Sequence, residues 1–131
     1  MIEVLIATHG KLALEFLNVA EAVLEQKLSA VTLCFDFDLE PDEYSKQMSN
    51  AIQAFPSNHN ILIFTDFFGG TSSNIAIPYV KKGKVEVITG LNLAMLIYLF
   101  TQPADKKFSE LVKGVQKAGK EAVLIAGDFM T

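Results

Sequence analysis

Apolar residues along this chain come in short blocks of strand length, and between the blocks they recur every three or four positions, the spacing of a helix face. The blocks at 3–7, 30–35, 61–65, 85–89 and 122–126 read as strands. The helical patterns lie at 11–26, 41–55, 72–80, 93–100 and 108–118. In the first of these, Leu12, Phe16, Val19 and Val23 form an i, i+4, i+7, i+11 stripe expected to face the core. Pro78 cannot donate to the carbonyl of Asn74, so the third helix should be short or kinked. Asn92 is placed to cap the start of the fourth.

Strand and helix alternate from end to end, with no Ser/Pro-rich linker, low-complexity tract or internal repeat. That alternation describes a single α/β domain over residues 1–131, a doubly wound sheet. A short sheet of four parallel strands commonly takes the order 2-1-3-4, with right-handed crossovers placing helices on both faces. The last block, Ala122-Val123-Leu124-Ile125-Ala126, has no polar face and would invite aggregation at an open sheet edge. It must be covered or paired.

Composition narrows the function classes. A net charge of -4 and a pI near 5.1 leave no basic footprint for nucleic acid, and Lys81-Lys82-Gly83-Lys84 is explained as a solvated turn. No apolar stretch approaches the roughly 18 residues that span a bilayer, and the start Met1-Ile2-Glu3 lacks the basic region of a signal peptide. These features describe a cytoplasmic protein. The one cysteine, Cys34, cannot form an internal disulfide and is expected as a buried, inert thiol. Asp36, Asp38, Glu40, Asp42 and Glu43 crowd around Pro41, but no glycine-turned loop with regularly spaced ligands accompanies them. Proline at the first helical position with acids in the first turn explains them without a metal.

Two strand ends carry groups that can do chemistry. His9 follows the run Val4-Leu5-Ile6-Ala7 and precedes Gly10 and a helix; Asp66 follows Ile61-Leu62-Ile63-Phe64-Thr65 and precedes Gly69-Gly70-Thr71-Ser72. In the order 2-1-3-4, strands one and three are neighbours at the switch point, so His9 and Asp66 meet at one crevice although 57 positions apart. A carboxylate on one ring nitrogen fixes the imidazole tautomer and leaves the other nitrogen as a nucleophile. Gly69-Gly70 admits a close backbone approach, and the amides at Thr71, Ser72 and Ser73 open a helix, where an anion such as phosphate is favoured. Together these point to phosphoryl transfer. No GK[ST] follows the glycine pair, and Gly10 stands alone, so neither a Walker A loop nor a dinucleotide fingerprint is present. Ser72 lacks a G-x-S-x-G setting, which argues against a serine hydrolase. His59 sits in a loop with no motif around it and is expected to be solvated.

Thr8-His9-Gly10, then Thr65-Asp66 with Gly69-Gly70-Thr71-Ser72 and Asn74, then Gly90-Leu91-Asn92-Leu93-Ala94-Met95-Leu96, resemble the enzyme IIA domain of the mannose-type sugar phosphotransferase system. The resemblance covers nearly the whole chain. It implies that His9 takes a phosphoryl group on Nε2 from the histidine-containing phosphocarrier protein, and gives it to a histidine of a IIB component. It implies that Asp66 orients Nδ1, and that groups around Gly10, Gly69, Gly70, Thr71 and Ser72 hold the phosphoryl oxygens. Phe67, Phe68 and Met95 are implied as a docking rim. No cofactor is implied. The membrane IIC and IID components would be served indirectly, with peripheral association at the transporter complex.

Many relatives are fused to IIB through an Ala/Pro-rich linker, whereas this chain stops at Thr131, so the acceptor is expected in trans. Phe67-Phe68 stands where relatives often show other residues, including Trp. The resemblance also implies that 122–126 adds antiparallel to the sheet of a second subunit, an exchanged edge strand in a homodimer, with Gly119 turning the chain out of the last helix. Two other readings stay open. One is the phosphocarrier subunit of a dihydroxyacetone kinase, which would be expected to show a Ser-His-Ser type motif. The other is a non-enzymatic, anion-sensing regulatory domain using the same crevice.

Overall fold

Side chains alternate across the first strand, β1 (Ile2–His9), so that Val4 and Ile6 enter one core layer while Leu5 and Ala7 enter the other. Both layers are dry because the sheet is covered on both faces, as parallel sheets generally are. The computed structural model describes residues 1–130. In it β1 is followed by α1 (Leu12–Leu24), β2 (Val31–Phe35), α2 (Pro41–Ala54), β3 (Asn60–Thr65), α3 (Thr71–Ala76), β4 (Val85–Ile88), α4 (Leu93–Phe100) and α5 (Phe108–Glu121). The sheet is all parallel in the order β2-β1-β3-β4. Helices α1, α4 and α5 supply Ala13, Ala20, Met95, Leu96, Leu99, Leu111 and Val115 to one layer. Helices α2 and α3 supply Tyr44, Met48 and Ala76 to the other.

Local signals act as their chemistry dictates. Pro41 opens α2 with Asp42 and Glu43 in its first turn, and the Asp36 carboxylate accepts from the Asp38 amide at 3.1 Å, so these acids serve the helix start and its loop. α3 stops at Ala76 and a 3-10 turn, Ile77–Tyr79, carries Pro78. The Asn92 side chain accepts from the Met95 amide at 3.1 Å and caps α4. α5 lies close against α4 because two of its positions have no side chain: a Cβ on Gly114 would collide with Tyr98, and one on Gly119 with Met95.

Five expectations need correction. The stripe Leu12, Phe16, Val19, Val23 does not face the core: Leu12, Val19 and Val23 are exposed, Phe16 packs only at the margin, and the buried positions of α1 are Ala13 and Ala20. Ala13 and Ala20 lie one residue on, about 100° around the helix, and their small side chains let it seat closely on the sheet. α5 runs through Gly119 to Glu121, so Gly119 is a packing glycine rather than a turn. Cys34 is half-buried, because β2 is an edge strand.

Residues 122–126 form no strand. Ala122 ends α5, Val123, Leu124 and Ile125 are exposed, and Ala126–Phe129 is a 3-10 turn. A strand requires a neighbouring ladder, and this segment pairs with no strand of the sheet. His59, finally, is not simply solvated. Its Nδ1 pairs with the Glu3 carboxylate at 2.6 Å, and Lys84 bonds the carbonyls of Ser57 and His59, tying the loop before β3 to the amino edge of the sheet.

Candidate active site

Register places the chemistry. Ala7 pairs with Thr65 across β1 and β3, and His9 pairs with Phe35 across β1 and β2, so the residues after β2 and β3 flank His9 at the carboxyl edge. Gly10 turns the chain out of β1 at φ +55°, its amide bonded to the Phe35 carbonyl at 2.8 Å. Lys11 offers no cap to α1, and the buried Thr8 hydroxyl supplies one by accepting from the Ala13 amide at 2.6 Å. Beneath the loop after β3, Thr65 and Ser73 hydroxyls share a hydrogen bond of 2.7 Å, and Ser73 also donates to the Phe67 carbonyl. These buried hydroxyls fix the segment that carries Asp66.

Asp66 Oδ2 lies 2.7 Å from His9 Nδ1 and accepts the His9 backbone amide at 3.0 Å. Its Oδ1 accepts the Ser72 hydroxyl at 2.7 Å and the Phe67 amide at 3.1 Å. Burial acts to raise the pKa of Asp66, but the bonds from Ser72 and from the His9 amide and ring, with the attraction of the ring's charge, outweigh it. They hold the carboxyl below its ordinary 3.8. Asp66 is therefore an anion that can only accept, so Nδ1 carries the proton and the free lone pair lies on Nε2. The His9 side chain is 22 % exposed and that of Asp66 9 %, so the ring reaches solvent over a sheltered carboxylate. The imidazole is stacked by Phe37 at 5.7 Å and by Phe67 at 5.4 Å between ring centroids, the planes within 24° and 21°.

The expected site residues sort as follows. His9, Asp66, Gly70, Ser72 and Phe67 are brought together. Gly70 stands closest, since a Cβ there would come to 2.9 Å from His9 Cε1 and from Phe67 Cζ. Ser72 is fully buried with its hydroxyl engaged on Asp66, so it orients the carboxylate rather than offering that hydroxyl to a ligand. Gly69 makes its turn at φ +88° with open space around it, Thr71 opens α3, and Phe68 is exposed. Met95 is a correction: at 5 % exposure it packs in the core against Gly119 and cannot form a docking rim. Phe37 was missed from sequence, although its position two residues past the end of β2, next to β1, was a usable signal.

A family model described as the PTS system fructose IIA component matches residues 3–116. The chain belongs to this family. It is a phosphotransferase system IIA component of the mannose/fructose type. It is 28 % identical over 124 residues to the mannose-specific EIIAB component of Escherichia coli strain K12, covering 93 % of this chain and 38 % of that protein. The chain thus spans well under half the length of that relative. The fructose-specific EIIA component of Bacillus subtilis strain 168 is 18 % identical over 99 % of this chain and 90 % of its own length. Among solved structures, EIIA from Streptococcus agalactiae superposes with a TM-score of 0.83 at 24 % identity, covering 98 % of this chain and 99 % of that one. The mannose/sorbose-specific IIA subunit from Enterococcus faecalis does so with 0.85 at 22 %, covering 94 % and 92 %. These two likenesses establish the fold. No helix among the described residues is long and apolar enough to cross a membrane.

Proposed function

We propose that this IIA component carries phosphoryl groups on His9, accepting them from the histidine-containing phosphocarrier protein and passing them to a histidine of a IIB component, in the cytoplasm, for sugar uptake. The observation that carries this reading is the bond from His9 Nδ1 to Asp66, which leaves Nε2 as the open nucleophile. In the forward step the Nε2 lone pair attacks phosphorus. The donor's N–P bond breaks, and its electron pair returns to the donor imidazole. His9 keeps its Nδ1 proton throughout, and the positive charge that grows on its ring is met by Asp66. Transfer to IIB is the same step reversed, with the acceptor's nitrogen attacking.

The same reading includes a homodimer. Val123, Leu124, Ile125, Phe129 and Met130 stand exposed after α5, and β4 is an open edge of the sheet. A groove of about 540 Å³ runs between that edge and α5, lined by Val87, Gly90, Val112, Gln116 and Gly119 among others. A strand from a second subunit laid against β4 would cover both apolar surfaces.

Incubation with phosphoenolpyruvate, enzyme I and the phosphocarrier tests the carrier role. Acid-labile, base-stable label is expected on wild type and on His59→Ala, which is altered at the opposite end of β1, and none on His9→Ala. Reversible phosphate binding without covalent label would instead favour an anion sensor. Label that survives in His9→Ala would end the assignment.

A further inference from the structure

We propose that Phe37 and Phe67 are positioning residues that clamp the His9 imidazole between two aromatic faces and hold it on Asp66; this rests on reading His9 as the phosphoryl acceptor. Phe37 follows β2 and Phe67 follows β3, and those strands lie on opposite sides of β1, so the two rings reach the imidazole from opposite sides. Centroid separations of 5.7 and 5.4 Å with planes within 24° are offset stacking geometries. Yet Phe37 is 76 % exposed and Phe67 55 %, so neither ring is placed there by burial in the core.

The clamp supplies what a single hydrogen bond cannot. The bond to Asp66 at 2.7 Å fixes one edge of the imidazole, but a part-exposed ring can still rotate about its Cβ–Cγ bond and lose that edge. Such a rotation has to sweep the imidazole through both phenyl rings. The backbone leaves room for this packing at one point: a Cβ on Gly70 would intrude to 2.9 Å on both His9 Cε1 and Phe67 Cζ. Stacking on both sides keeps the nitrogen-bearing edges in line, Nδ1 inward to the carboxylate and Nε2 outward to the partner. The electron-rich faces also favour the ring as it becomes cationic during transfer.

The test pairs nitrogen-15 spectroscopy of the His9 ring with single-turnover transfer from phosphorylated phosphocarrier, using wild type, Phe37→Leu, Phe67→Leu and the two Phe→Tyr variants. Wild type should show one tautomer, protonated on Nδ1, and both leucine variants a spectrum averaged over two tautomers. Each leucine variant should lower the maximal transfer rate roughly 2- to 12-fold, the strength of one stacked pair, with little change in the half-saturating donor concentration. Tyrosine, which keeps the flat face, should restore both readouts. A leucine pair whose spectra match wild type overturns the clamp, and so does a higher half-saturating concentration at an unchanged maximal rate, which is the mark of a docking residue. Should wild type itself fail to accept phosphate, the carrier reading falls. The tautomer spectra then still decide the clamp: averaging in the leucine variants supports it, and spectra that match wild type overturn it.

Discussion

Replacing Asp66 by asparagine tests the central pair most directly, because the carboxylate faces four donors and an amide can face only two. Oδ2 takes the His9 amide and ring Nδ1, and Oδ1 takes the Ser72 hydroxyl and the Phe67 amide. With its carbonyl toward His9, the asparagine keeps both bonds there. Its amino group then meets Ser72, whose hydroxyl can turn to accept, and Phe67, whose exposed amide can bond water. The opposite orientation sets amino group against the His9 amide and favours the wrong imidazole tautomer. The first orientation wins, so the fold survives at a cost of about 1–2 kcal/mol, the difference between charged and neutral hydrogen bonds.

Transfer suffers more than folding. At 2.7 Å, unit charges in an effective dielectric near 20 attract by about 6 kcal/mol, a ceiling on what the carboxylate gives a developing imidazolium. Part of that attraction exists before transfer and part is retained by the amide dipole. About 3–5 kcal/mol is then lost at the transition state, a slowing of roughly 100- to 10,000-fold. Rapid-quench phosphoryl transfer at neutral pH measures it, and a folded variant within tenfold of wild type would refute the argument. The pH dependence gives a second check. Because Asp66 titrates below its ordinary 3.8 in the folded chain, its ionisation stabilises the fold fully above that value and is lost as pH falls through the depressed one. Urea denaturation should therefore show the stability gap between wild type and Asp66→Asn closing below about pH 4. A gap that is constant down to pH 2 contradicts the cause assigned to the shift.

Gly119→Ala should destabilise the chain by about 1–3 kcal/mol, since its methyl group meets Met95 in a filled core, and Met95→Ala in the same chain should restore part of the loss. Urea midpoints of the single and double variants decide it; an additive double variant removes the contact as the cause. Ending the chain after Ala122, which leaves α5 intact, should turn a dimer into a monomer by sedimentation equilibrium. A full-length protein that stays monomeric at micromolar concentration refutes the exchanged strand.

The parts of this fold that could be read from sequence are those where one physical requirement dominates. Strands buried on both faces must be nearly continuous in apolar residues, so β1 and β3 stood out, and the switch-point rule then brought His9 and Asp66 together. Capping chemistry at Asn92 and the break at Pro78 are equally local. Orientation of α1 was not legible, because period 3.6 runs through Leu12, Phe16, Val19 and Val23 as well as through Ala13 and Ala20. Only the distance between helix and sheet selects the smaller set. Phe37 escaped because its loop is aperiodic, and the one signal for it was its place just past β2 in a strand order that sets β2 beside β1. Met95 was misplaced for a related reason: its motif marks a position after β4, whereas its burial depends on Gly119 in a different helix. The segment 122–126 differs in kind. Its residues carry strand propensity and an apolar demand for cover, but a strand exists only with a neighbour, and within one chain Val123, Leu124 and Ile125 remain uncovered. In the proposed dimer the conformation of that segment would be set by the partner's edge strand, so subunit association and strand formation over 122–126 are to be measured together.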